Sequence, residues 1–166
     1  MFLDVGCGSG AAVRRAATVA GRSVGVDLSP GMITRARELS AGRDAIEFVE
    51  ADSEALPFGD GEFTVILCTT SFHHYPEPAA AMAEMARVLA AGGRLVIGDG
   101  CTDNRFAWLV NLVLRAVQRS HVSFYSSERM GQFVRGAGLT LDRIGMLWEG
   151  GYMICSAHKG EPELTG

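Results

Sequence analysis

The chain has 166 residues, 48% of them hydrophobic and 20% charged, with a formal net charge of -4. That length suits one domain, residues 1–166, with a core that needs no metal or disulfide staple. The longest apolar run, Phe106 to Val117, is broken by Asn111 and Arg115 and falls short of the roughly 20 residues that span a membrane. No basic-then-apolar signal opens the sequence, and scattered basic residues on an acidic chain argue against nucleic-acid binding. Cys7, Cys68, Cys101 and Cys155 form no C-x-x-C pair. That disfavours a zinc site or disulfide framework and suits reduced thiols in a cytoplasmic protein.

Apolar runs and helical patterns then alternate along the chain. Met1–Val5 reads as a strand ending on a glycine cluster, and alanine-rich Ala11–Ala20 as a helix closed by Gly21. Ser23–Asp27 is a second strand. Ser29-Pro30 supplies an N-cap and a first-turn proline for a helix to about Ser40. Ile46–Val49 and Phe63–Thr69 are strands three and four. Pro78–Ala90 is a helix stopped by Gly92-Gly93, and Arg94–Asp99 is strand five. Phe106–Arg119 and Ser126–Ala137 are helices. Leu139–Leu147 and Tyr152–His158 are strands joined by Glu149-Gly150-Gly151, a hairpin turn. The order predicts an α/β, Rossmann-like, doubly wound sheet of seven mostly parallel strands with a C-terminal antiparallel hairpin.

Between strand one and its helix stands Asp4-Val5-Gly6-Cys7-Gly8-Ser9-Gly10. Alternating glycines let a ligand approach the backbone, and the following helix offers unsatisfied N–H groups. A tight turn without a ligand would look the same from this segment alone. Two more acids sit at strand ends, where open α/β sheets bind ligands. Asp27 is placed to accept hydrogen bonds from ribose hydroxyls, and Asp52, in Asp52-Ser53-Glu54-Ala55-Leu56-Pro57-Phe58, from an exocyclic adenine amine. Each also has a plainer reading as a helix cap or solvated loop residue.

Phe2–Gly10, Val24–Met32, Ala51–Phe58, Phe72–Pro78 and Arg87–Asp99 resemble, in order, the motifs of class I S-adenosylmethionine-dependent methyltransferases. The nearest subgroup is that of the ubiquinone and menaquinone methyltransferases. The resemblance implies S-adenosylmethionine as cofactor and S-adenosylhomocysteine as product. Asp4 would lie near the methionine amine, above a floor of Gly6, Cys7, Gly8 and Gly10. Asp27 would hold the ribose, Leu28 and Met32 would flank the adenosine, and Asp52 and Ser53 would read the adenine. Backbone near Cys68 and Thr69 would complete the amino-acid end, and Phe72 and His73 would lie where cofactor meets substrate. Relatives usually carry a helical segment ahead of the glycine loop. This sequence begins almost on strand one, so the expectation is either a truncated form or cover for the pocket from elsewhere, such as Phe106–Arg119 or a second subunit.

Such chemistry needs alignment and exclusion of water more than a metal, and no metal site is expected. The candidate general bases are His73 and His74, in Phe72-His73-His74-Tyr75-Pro76; the same pair also reads as a loop-shaping element. His121, Phe124 and Tyr125 either line the acceptor pocket or pack. The Phe106–Leu114 stretch, apolar on nearly every side, must be covered, by the core first and otherwise by a hydrophobic acceptor or a homodimer face. The expected partner is a small, hydrophobic or aromatic acceptor methylated at O, C or N. Two rivals remain: a non-catalytic cofactor- or partner-binding protein on this fold, and an NAD(P)-dependent oxidoreductase, since Gly6, Gly8 and Ala11 fit G-x-G-x-x-A.

Overall fold

The computed structural model describes residues 1–117 and 122–161. Strand β1 (Phe2–Val5) pairs in parallel on both sides, with β2 (Ser23–Asp27) and with β4 (Phe63–Thr69). Parallel strands β3 (Ile46–Glu50) and β5 (Leu89–Gly100) extend the sheet beyond β2 and β4. β7 (Tyr152–His158) joins β5 antiparallel, and β6 (Thr140–Leu147) joins β7 antiparallel. The order β3-β2-β1-β4-β5-β7-β6 is the expected doubly wound arrangement. Its switch point lies between β1 and β4, where such sheets take up ligands.

Helices α1 (Ala11–Ala16) and α2 (Pro30–Leu39) cover one face, burying Val13, Ile33 and Ala36 against Phe2 and Phe48. Helices α3 (Pro78–Val88) and α5 (Ser127–Gly136) cover the other, where Met82, Met85, Met130 and Val134 meet Ile66 and Ile97. Helix starts follow local chemistry. Ser29 and Ser126 cap α2 and α5 by accepting the N–H of Met32 and Arg129.

Three boundaries differ from the sequence expectation. Helix α1 ends at Ala16, four residues early; Thr18 and Val19 close three-residue turns onto Arg15 and Ala16, and Val19, 91% exposed, has no face to bury. Helix α3 ends at Val88 because Lys159, from the end of β7, donates Nζ to the carbonyls of Ala86, Arg87 and Leu89. The Gly92-Gly93 pair is not a stop ahead of β5 but an irregularity inside it, with Gly92 at φ 71° and its N–H on the Lys159 carbonyl.

A fourth correction concerns α4 (Arg105–Val117). It was expected first to pack in the core, yet it buries only Ala107 and Asn111. The end of the predicted helix and His121 lie outside the described residues. No helix among the described residues is long and apolar enough to cross a membrane.

Candidate active site

At the switch point the chain leaves β1 through a loop that three left-handed glycines make possible, with Gly6, Gly8 and Gly10 at φ 76°, 52° and 78°. The amides of Gly6 and Cys7 both donate to the Val26 carbonyl at 2.8 Å, folding the loop across the end of β2. The glycines then do different things. A Cβ on Gly6 would overlap Ser71 Oγ, and one on Gly10 would overlap the Phe48 ring. Over Gly8 there is open space. Gly10 serves packing, Gly6 packs on Ser71 while lining the cavity, and Gly8 has its outward side open.

Asp27, at the end of β2, accepts the Gly8 amide on Oδ2 at 2.8 Å and the Ser29 amide on Oδ1 at 2.9 Å. One carboxylate thereby ties the glycine loop to the start of α2. Asp52 accepts the Glu54 amide at 2.9 Å, turning the chain after β3. That loop is anchored from behind. Leu56 is buried and donates its amide to Glu84, Phe58 packs edge-on against Phe63 at 5.0 Å, and Arg87 binds the Leu56 and Phe58 carbonyls.

Between these elements lies a cavity of about 190 Å³. One wall is Val26, Asp27, Leu28, Ala51, Asp52 and Ser53; the other is Val5, Gly6, Ser71, His74, Tyr75 and Pro76. Ser71 and Tyr75 were not singled out from sequence. Both donate side-chain hydroxyls to the Val5 carbonyl, at 3.1 and 3.3 Å, and they lie 3.0 Å from each other. Cys68 Sγ sits 3.2 Å from Ser71 Oγ and 3.5 Å from the Tyr75 hydroxyl. The cluster locks the turn after β4 beneath Gly6. Burial pushes the Cys68 thiol up to about 12 and holds the Tyr75 phenol well above its usual range, so both stay neutral.

Asp4, one residue before Val5 on β1, is not among the cavity's lining residues. It is 2% exposed, and its Oδ1 has no hydrogen-bond partner. Desolvation first, and the charge of Asp27 second, raise its carboxyl to about 7. A buried carboxylate without a partner is costly, and it is the feature of this site that the protein alone does not satisfy.

The remaining expected residues divide. Leu28 lines the cavity wall, whereas Met32 is exposed on the first turn of α2, outside the lining residues. Cys7 turns its thiol into the α1–α2 core, where burial pushes it up to about 12. Thr69 ends β4 against Gly98. Phe72 corrects the expectation. It is fully buried, edge-on to Tyr75, Tyr125 and Phe133 at 5.5–5.9 Å, so its ring belongs to the core and has no surface to offer at a cofactor–substrate junction.

The two histidines separate as well. His73 is buried, with Nδ1 2.7 Å from Asp99 Oδ1 and its amide donating to Asp99 Oδ2 at 2.9 Å. Its carbonyl accepts the amides of Val122 and Ser123. Asp99 also accepts the Gly100 amide at 2.7 Å. His73 is thus a clamp between β5 and the chain after α4. The His74 ring lies tilted at 49° to it, ring centroids 3.9 Å apart, and lines the cavity. Asp99 was not singled out in the sequence, although it stands one residue before the end of β5, as Asp27 ends β2 and Asp52 follows β3 by two residues. Phe124 packs edge-on to His73 at 5.0 Å, and Tyr125 against Phe133 at 5.2 Å. Among the described residues no cluster could hold a metal ion.

Residues 3–97 match the family model described as a methyltransferase domain. Over 149 residues, 86% of the chain, it is 33% identical to 2-methyl-6-phytyl-1,4-hydroquinone methyltransferase of Synechocystis, covering 47% of that protein. Over 101 residues, 61% of the chain, it is 37% identical to demethylmenaquinone methyltransferase of Clavibacter sepedonicus, covering 41% of it. The chain spans less than half the length of these relatives. The crystal structure of an S-adenosylmethionine-dependent methyltransferase from Mesorhizobium loti superposes with a TM-score of 0.81 at 18% identity, over 95% of this chain and 90% of that one. Geranyl diphosphate C-methyltransferase from Streptomyces coelicolor, crystallised with S-adenosylhomocysteine, gives 0.81 at 17% identity, over 95% and 70%. At such identities the structural likeness is one of fold. The matched family model, together with the sheet order, removes the oxidoreductase reading: the chain belongs to the class I S-adenosylmethionine-dependent methyltransferases.

Proposed function

We propose that residues 1–166 form one domain that binds S-adenosylmethionine in the switch-point cavity and passes its methyl group to a small hydrophobic or aromatic acceptor. The observation that carries this reading is Asp4. Its unpartnered, buried carboxylate, raised to about 7, is the complement of a cationic ligand group such as the methionine ammonium. The cavity lining fits the same molecule. Asp27, fixed by two backbone amides, keeps lone pairs for a ribose diol. Asp52 and Ser53 face the cavity where an adenine amine would be read, with Leu28 as apolar wall. Gly6, beside Ser71 on the cavity wall, brings the glycine loop to the amino-acid end, near the chain that follows Cys68 and Thr69, and Gly8 has nothing over it.

When bound, the cofactor supplies a methyl group already activated by its sulfonium. The chain's own task is to align an acceptor, exclude water and, for an O- or N-acceptor, receive a proton. His74 lines the cavity and is the base candidate; His73, held by Asp99, positions it. The acceptor reading rests on the relatives, two of which are named for hydroquinone and menaquinone methylation. The free, buried cysteines suit a reducing compartment, and we place the chain in the cytoplasm.

Transfer of labelled methyl from S-adenosylmethionine to a panel of quinols and phenols tests the reading. It predicts turnover with at least one acceptor, abolished in Asp27→Ala. Cofactor binding without transfer to any of them would favour a non-catalytic binding protein.

A further inference from the structure

Helix α4 is built inside out. Its inward side is Ala107 and Asn111, and Asn111 accepts the Phe124 amide at 2.8 Å. Around the other half of its circumference Phe106, Trp108, Leu109, Leu112, Val113 and Val117 are 50–76% exposed. The patch continues past the helix, because Phe106 shares a shallow cleft with Trp148, itself 77% exposed on the β6–β7 turn. Contiguous apolar surface of this kind marks an interaction site.

Charge decides what it meets. From Arg105 to Ser127 the sequence has no Asp or Glu, in a chain whose net charge is -4. Arg105 and Arg115 are exposed and form no salt bridge among the described residues. Of the acids at the rim, Asp103 is engaged by Ser127, and Glu149 stands beside Trp148. A symmetric pairing of two copies through this face would set arginine-bearing helices against each other with few acids to answer them. A face of Trp, Phe and Leu flanked by arginines is instead the pattern of a helix that lies in the headgroup region of an anionic bilayer. The position is apt. Phe124, held by Asn111, packs on His73, whose ring touches that of His74 at the cavity wall.

We propose that α4 and Trp148 form a peripheral docking surface for anionic phospholipid, laying the mouth of the site against the membrane without spanning it. The inference goes beyond the proposed transfer reaction and is tested without turnover.

The chain's only two tryptophans, Trp108 and Trp148, both lie on the patch, so intrinsic fluorescence reports on it directly. The full chain is mixed with vesicles of phosphatidylcholine, with and without phosphatidylglycerol. The proposal predicts co-sedimentation and a blue shift with the anionic vesicles, both reduced by added salt. Arg115→Gln weakens this binding roughly fivefold, and Leu109→Asp with Leu112→Asp weakens it more than about tenfold. The melting temperature of the variants stays that of the parent chain. Absence of vesicle binding by a chain shown to be folded by its melting transition overturns the proposal. So does binding that survives the double aspartate change. A dimer by light scattering, lost in that double variant and accompanied by no vesicle binding, overturns it in favour of a second copy as the occupant.

Discussion

The two ends of this molecule spend similar apolar sequence in opposite ways. In the β1–β4 half, Leu3, Val5, Val24 and Ile66 are at most 1% exposed, and the polar groups above them are paired in nearly every case. In α4 and the β6–β7 turn, residues just as apolar stand in solvent, with Phe106 at 76% and Trp148 at 77%. In the first region hydrophobicity builds the platform and the polar loops carry function. In the second the apolar residues are themselves the functional surface. Exposure, not hydrophobicity, separates the two roles.

Mutations sharpen the contrast. The largest expected effect is Ile66→Ala, which empties a fully buried site shared by β1, β4 and α3 and costs about 3–4 kcal/mol in chemical denaturation. Leu112→Ala on the exposed face of α4 stays within about 0.5 kcal/mol of the parent chain. Equal losses at the two positions would mean that α4 is part of the core after all.

Comparable in size is Asp4. Its folded-state carboxyl, raised from 3.8 to about 7, keeps a proton that the unfolded chain has already released. Stability is therefore whole below about pH 4 and falls as pH rises towards 7, by about 4 kcal/mol from this group. Asp4→Asn removes that slope and is the more stable form at pH 8. Parallel stability–pH curves for parent and variant would show that Asp4 is solvated. Smaller again is Gly8→Ala. At φ 52° with nothing over it, the change costs about 1 kcal/mol of stability but puts a methyl group where the ligand backbone contact is proposed. Gly6→Ala, which collides with Ser71, damages folding as well. Cofactor affinity unaltered by Gly8→Ala would move the ligand off the loop.

The same physics explains what was legible beforehand. β2, β4 and β7 were readable residue for residue: β4 is a nearly continuous apolar run, and β2 and β7 are short, mainly apolar stretches set off by turn residues. Asp27 and Asp52 were readable from their place at strand ends. Asp99 shares that place, but its use, three hydrogen bonds to His73 and Gly100, depends on a pairing 26 residues apart. Ser71 and Tyr75 reach the site only by closing onto Val5, and Lys159 sets the end of α3 from 70–73 residues away. Such contacts leave no local pattern. Phe72 and His73 were expected beside the cofactor from the resemblance; the run Phe72-His73-His74 does not say which of its side chains faces the cavity, and of the three only His74 does.

The central claim is that Asp4, Asp27 and Asp52 surround a nucleoside-and-ammonium ligand, and calorimetric titration of S-adenosylhomocysteine tests it most directly. The account predicts saturable one-site binding to the parent chain, proton release near pH 7 as Asp4 ionises, loss of binding in Asp27→Ala, and no binding of NAD. A folded chain that takes up no S-adenosylhomocysteine, or an Asp27→Ala variant that binds it as the parent does, would contradict it.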